Sequence, residues 1–129
     1  MNTKTVWGIV AVIFIALVAW LVLTPGKPGQ LDAFATCLKD RGVKFYGAFW
    51  CPHCQAQKAL FGRSVDKLPY VECSNPDGQS QNALCNSLGI QGYPTWVFPA
   101  LNGATSTATS SGEQTLKELA DKSSCLLPQ

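Results

Sequence analysis

Two cysteines, Cys51 and Cys54, stand where an apolar run gives way to a helical one, and this constrains the chain more than any other stretch. Trp50-Cys51-Pro52-His53-Cys54 lies between Val43 to Phe49, which reads as a strand, and the helix-like Gln55 to Phe61. The first turn of a helix has unpaired N–H groups and a partial positive charge, so a cysteine there is favoured as thiolate. Cys51 is therefore the expected nucleophile, and Cys54, one turn further in, can close or open a disulfide with it. Pro52 suits the first helical position, where its missing N–H costs nothing. His53, the only histidine, can add positive charge or a donor near the same sulfur; its plainer reading is a solvated loop histidine. A zinc site would need two further ligands, and Cys73 and Cys85 do not form the usual second close pair. Thiol-disulfide exchange is the expected chemistry, with no metal and no cofactor other than the Cys51 and Cys54 disulfide itself.

A second constraint precedes the first in the chain. Val6 to Leu23 is a run of 18 residues without a charge. As a helix it rises about 27 Å, enough to span most of a bilayer core. Trp7 and Trp20 lie near its ends, where amphipathic rings prefer the interface. A cleaved signal peptide is the alternative, but no small-x-small site follows the run, which continues Trp20-Leu21-Val22-Leu23-Thr24-Pro25. The expectation is thus a retained anchor over 1–23, a linker over 24–30 and one domain over 31–129. Lys4 and the amino terminus on the short side point to a cytoplasmic N-terminus, which puts the domain on the extracytoplasmic side, periplasmic or lumenal. Six cysteines in a chain of 129 residues agree, because disulfides persist in oxidising compartments. Beyond Gln30 the acidic and basic residues balance, which leaves no electrostatic case for nucleic acid.

The domain reads as alternating helices and strands. Leu31, Phe34, Ala35 and Leu38 share one helical face that Gly42 can terminate. Val43 to Phe49 is the first strand, and the helix opened by the two cysteines is expected to run to about Ser64. Leu68 to Cys73 reads as a second strand, Ser80 as the cap of a helix through Leu88, and Gly92 to Phe98 as a third strand. Asn102-Gly103 is a hairpin signal leading to a fourth strand from Ala104 to Thr109, and a last helix spans Ser111 to about Ser123.

This order resembles the thioredoxin fold without its first strand: an α/β domain with a mixed, about four-stranded sheet flanked by helices. The Trp50 to Cys54 motif and the Tyr93-Pro94-Thr95 segment are similar to that superfamily's active-site pair. The resemblance implies that Pro94 is a cis residue lying against the cysteines. Phe45 to Lys58, with Tyr70-Val71-Glu72-Cys73, Cys85 and Gly92 to Trp96, more closely resembles the thioredoxin-like domain associated with vitamin K epoxide reductase (VKOR) homologues. That likeness implies a protein passing oxidising equivalents between substrate protein thiols and a VKOR-type integral membrane quinone reductase carried on a separate chain. One position departs from the reducing thioredoxins, which carry a buried acid six residues before the first active-site cysteine; here it is Phe45. Its absence, and the Pro-His dipeptide, which resembles that of the periplasmic oxidase DsbA, point toward an oxidant.

With the fold so implied, Cys37 and Cys125 fall in the first and last helices on one side of the sheet. Cys73 and Cys85 face each other across a turn, so the favoured pairs are Cys37 with Cys125 and Cys73 with Cys85, both structural. A relay role for the second pair is the rival reading. Trp50, Pro52, Tyr93 and Thr95, which adjoin reactive positions, are expected to border a substrate groove. In the expected reaction a substrate thiolate attacks Cys51, and a second substrate thiol resolves the mixed disulfide. A reductase or isomerase, for example in cytochrome maturation, and a non-catalytic binding module are the alternatives.

Overall fold

A computed structural model describes residues 2–24, 26–100 and 107–128. Helix α1, Thr3–Leu23, contains no buried residue and is long and apolar enough to cross a membrane. After it, α2 (Asp32–Asp40), β1 (Lys44–Gly47), α3 (Pro52–Ala59), a 3-10 helix (Gly62–Lys67), β2 (Tyr70–Glu72), α4 (Ala83–Ser87), β3 (Thr95–Phe98), β4 (Ala108–Ser111) and α5 (Leu116–Ser123) follow in order. The four strands form one mixed sheet in the order β2-β1-β3-β4. β1 runs parallel to β2 and antiparallel to β3, which pairs antiparallel with β4.

Alternation along the strands divides the core in two. Phe45 of β1 stands opposite Trp96 of β3, their rings stacked at 4.5 Å, and joins Phe34, Leu38, Phe98 and Leu119 in the larger cluster. Tyr46, one residue on, faces the other way and packs with Cys73, Cys85 and Ile90. Each cluster has its own disulfide. Cys37 of α2 is bonded to Cys125, just past α5, and Cys73 to Cys85 of α4.

Several element limits differ from the expected ones, each for a local hydrogen-bonding reason. β1 stops at Gly47 because the chain turns there, with the Cys51 N–H donating to the Ala48 carbonyl at 3.0 Å. α3 ends at Ala59 rather than near Ser64. Gly62, at φ +50, takes the chain into the 3-10 helix, a conformation that suits a residue without Cβ. β3 begins at Thr95, not Gly92, since Pro94 has no N–H to give to a ladder. α4 is capped by Asn82, whose side chain accepts the Cys85 N–H at 3.0 Å, and Ser80 stays in the preceding loop. Ser111 belongs to β4, and α5 opens instead at Thr115, which forms a reciprocal capping box with Glu118. The Asn102-Gly103 turn and the residues from Ala104 that were expected to begin the fourth strand lie outside the described residues.

Candidate active site

Cys51 is the N-cap of α3, in extended conformation, and Pro52 occupies the first turn. The peptide N–H groups of that turn therefore point toward the end of the helix where Cys51 sits. Both thiols are free, but their settings differ: Cys51 is 5% exposed and Cys54 fully enclosed. Burial pushes the Cys54 thiol up to about 12, the neighbouring Cys51 acts in the same direction, and the Ala48 backbone and the Lys58 ammonium oppose it less strongly. Of the two sulfurs, Cys51 is the one an incoming thiol can meet.

Cys54 is enclosed because β1 lets it approach. A Cβ on Gly47 would stand 2.8 Å from the Cys54 sulfur and 2.8 Å from the Tyr70 ring, so only glycine fits beneath this cysteine. Tyr70 is fixed in turn: its hydroxyl donates to Glu72 at 2.8 Å, and the Lys58 ammonium lies 3.3 Å from its ring centroid. The other Glu72 oxygen accepts the backbone N–H of Phe49 at 3.2 Å and of Ser74 at 2.9 Å. One carboxylate thus ties the loop before Cys51 to the end of β2.

The second wall comes from the turn before β3. The Tyr93–Pro94 peptide bond is cis, and the Tyr93 carbonyl lies 3.8 Å from the Cys51 sulfur. Tyr93 and Trp50, the residue before Cys51, meet edge to face with ring centroids 6.1 Å apart. Trp50 is half exposed beside an equally exposed Phe49. Thr95 is buried, and its hydroxyl donates to the Gly92 carbonyl at 2.7 Å; it braces the turn rather than joining the two rings. His53 is exposed, with its Nδ1 2.7 Å from the Glu113 carboxylate. One helical turn on, the buried Gln57 amide donates to the Gln114 carbonyl at 2.9 Å and accepts the Gln114 N–H at 2.6 Å. These two neighbouring contacts moor the motif helix to the segment leading into α5.

Sequence reasoning brought out Cys51, Cys54, Trp50, Tyr93 and Pro94, which the fold gathers at one point. It passed over Gly47, Glu72, Gln57, Ser74 and Gln81. The only available signal among these was Gly47, a lone glycine in an apolar strand, which marks a close approach.

Comparison with known proteins adds to this geometry. The sequence model described as "Thioredoxin" matches residues 32–124. The chain belongs to the thioredoxin family. Over 102 residues it is 41% identical to the thiol-disulfide oxidoreductase LTO1 of Arabidopsis thaliana, an alignment covering 75% of this chain and 25% of that protein. Over 82 residues it is 28% identical to the protein disulfide-isomerase erp38 of Neurospora crassa, covering 60% of this chain and 19% of that one. The chain therefore spans about a quarter or less of the length of these relatives. A crystal structure of chloroplastic thioredoxin z aligns with a TM-score of 0.49 at 17% identity, over 64% of this chain and 74% of that one.

Proposed function

We propose that this thioredoxin-family protein is a membrane-anchored thiol-disulfide oxidoreductase that oxidises protein thiols on the extracytoplasmic side. The observation that carries the reading is the asymmetry of the pair, with reachable Cys51 at a helix N-terminus over enclosed Cys54. The names of the two relatives, a thiol-disulfide oxidoreductase and a protein disulfide-isomerase, support the same chemistry.

The reaction follows from that asymmetry. A substrate thiolate attacks the Cys51 sulfur of the Cys51–Cys54 disulfide; a new S–S bond forms, the old one breaks, and Cys54 leaves and takes up a proton. A second substrate thiolate then attacks the substrate sulfur of the mixed disulfide, and Cys51 departs as thiolate. The substrate gains a disulfide, losing two electrons, and the pair is reduced by two. Competing with the second step is return attack by Cys54, which must first lose its proton. Burial holds that thiol up to about 12, so very little of it is ionised near neutral pH. The route through the substrate's second thiol is favoured, which supports an oxidant.

In this reading residues 1–23 are the single-pass anchor, 24–30 the linker and 31–129 the redox domain. The seven linker residues reach about 23 Å at most, which keeps the site near the bilayer surface. Reoxidation there falls to a VKOR-type integral membrane quinone reductase. The deciding measurement is the midpoint potential of the Cys51 and Cys54 pair in the full-length chain, equilibrated in thiol-disulfide buffers and read by alkylation and mass. A value near about −120 mV supports the oxidant, whereas one near about −270 mV assigns the opposite electron flow. Cys51→Ser should abolish thiol exchange; retained exchange would remove the catalytic reading altogether.

A further inference from the structure

Between the disulfide-bonded Cys73 and Cys85 the chain makes a loop that contacts the residues beside Cys51. Its Ser74 hydroxyl accepts the Trp50 indole N–H at 2.9 Å, and its Gln81 side-chain oxygen accepts the Tyr93 hydroxyl. Gly78, at φ +70, lies under Phe49 and Trp50, where a Cβ would come within 3.4 Å of one ring and 3.5 Å of the other. The polar ends of the two rings beside Cys51, Trp50 next to it in the chain and Tyr93 whose carbonyl lies 3.8 Å from its sulfur, are thus held by one loop.

The loop is itself braced. Ser74 and Gln81 face each other across a β-bridge, the Asn75 N–H donates to the Ser80 carbonyl at 2.9 Å, and the Asn82 N–H donates to the Cys73 carbonyl at 2.7 Å. The Gln81 amide also donates to the Ile90 carbonyl at 2.8 Å, which ties the loop to the segment before the cis-proline turn. A brace of this kind fixes two aromatic rings before a ligand arrives, lowering the ordering cost of binding.

We infer that the 74–81 loop is the specificity-determining wall of the site, with Ser74 and Gln81 as positioning residues that set Trp50 and Tyr93 for an extended, apolar segment around a substrate cysteine. This rests on the oxidoreductase reading above, because Cys51 beside the two rings is what makes the occupant a thiol-bearing chain. A small dithiol has no flanking segment for the rings to hold, so it reports the chemistry without the wall.

The test compares full-length wild type, Ser74→Ala and Gln81→Ala in detergent, oxidising either reduced, unfolded ribonuclease or dithiothreitol, with oxidised glutathione supplied to regenerate the Cys51–Cys54 disulfide and the rate without protein subtracted. Each variant should lower the ratio of kcat/KM for the protein to that for the dithiol by about three- to tenfold, the worth of one hydrogen bond. The change should appear in KM for the protein, and Ser74→Thr, which keeps the hydroxyl, should restore the ratio. An unaltered ratio, or an equal fall for both thiols carried by kcat, would overturn the inference and leave the loop a brace of the fold. Wild type that oxidises neither thiol would remove the oxidoreductase reading, and the inference with it.

Discussion

Gly47→Ala gives the most direct test of how the fold holds Cys54. The added methyl would sit 2.8 Å from the Cys54 sulfur, 2.8 Å from Tyr70 Cε2 and 3.5 Å from the Cys54 Cβ. Non-bonded contacts of this kind settle at about 3.5–4.0 Å, so sulfur and ring must each withdraw by about 0.7 Å. Neither is a free end: Tyr70 is held by Glu72 and covered by Lys58, and α3 is pinned by Gln57. Overpacking at such a point costs about 1–3 kcal/mol. For a domain of this size that lowers the melting temperature by about 5–15 °C. Near-UV circular dichroism of the full-length chain, reduced at Cys51 and Cys54 but with the other disulfides intact, measures the first effect. The second is kinetic: lifting Cys54 from the strand alters its approach to Cys51, so closure of their disulfide by a small oxidant should change in rate. A variant that melts within about 1 °C of wild type and closes its disulfide at the same rate would refute the close-approach argument.

Further outcomes follow from neighbouring contacts. Iodoacetamide at pH 7–9 should label Cys51 and spare Cys54, whose thiol burial pushes up to about 12; equal labelling of both in the folded protein, read by peptide mass, would contradict that burial. Gln57→Leu leaves the N–H and carbonyl of Gln114 without partners and should reduce stability by about 2–4 kcal/mol in denaturant titration. His53→Ala should make the pair less oxidising by about 20–30 mV, measured in thiol-disulfide buffers; an unchanged potential would leave His53 a surface partner of Glu113 alone. Glu118 is held below the usual carboxylate range by the Thr115 backbone and hydroxyl, so its contribution to α5 is present above that range and lost as pH falls through the lowered value. Protection factors of the amides at the start of α5, corrected for intrinsic exchange, should fall at acid pH in wild type, and Glu118→Gln should remove that dependence.

What could be read from the sequence was whatever depends on neighbours along the chain. The apolar run of α1, the Leu31, Phe34, Ala35, Leu38 face of α2 and the strand-to-helix junction at Cys51 all carry local signals. Boundaries failed where a turn competes with a ladder, as at Ala48, or where two caps compete, as with Ser80 and Asn82. The Thr115 and Glu118 box was legible as a pattern, yet the Ser and Thr residues before it hid the true start of α5. At the site, Trp50 and Tyr93 were found because each adjoins a reactive position. Glu72, Ser74, Gln81 and Gln57 were not, since an amide, a hydroxyl or a carboxylate on a loop or helix gives no sign of a partner on another element.

The Phe45 substitution looks different once its surroundings are known. Phe45 is fully buried, stacked on Trp96 and edge-on to Tyr70 at 5.1 Å, so the strand floor on that side is aromatic where an acid was absent. The nearby carboxylate, Glu72, is occupied: one oxygen receives two backbone N–H groups and the other the Tyr70 hydroxyl. With three donors on its two oxygens, Glu72 serves as a structural acceptor that ties the backbone together. Lys58 favours the Cys54 thiolate by its charge but, as an ammonium, cannot accept a proton from it. In the proposed oxidation, the apolar floor that encloses Cys54 and the engagement of Glu72 by the backbone both work against return attack of Cys54 on a Cys51 mixed disulfide. The direction proposed for the reaction therefore rests less on a missing acid than on the enclosure of Cys54, with the nearby Glu72 already engaged by Tyr70 and the backbone.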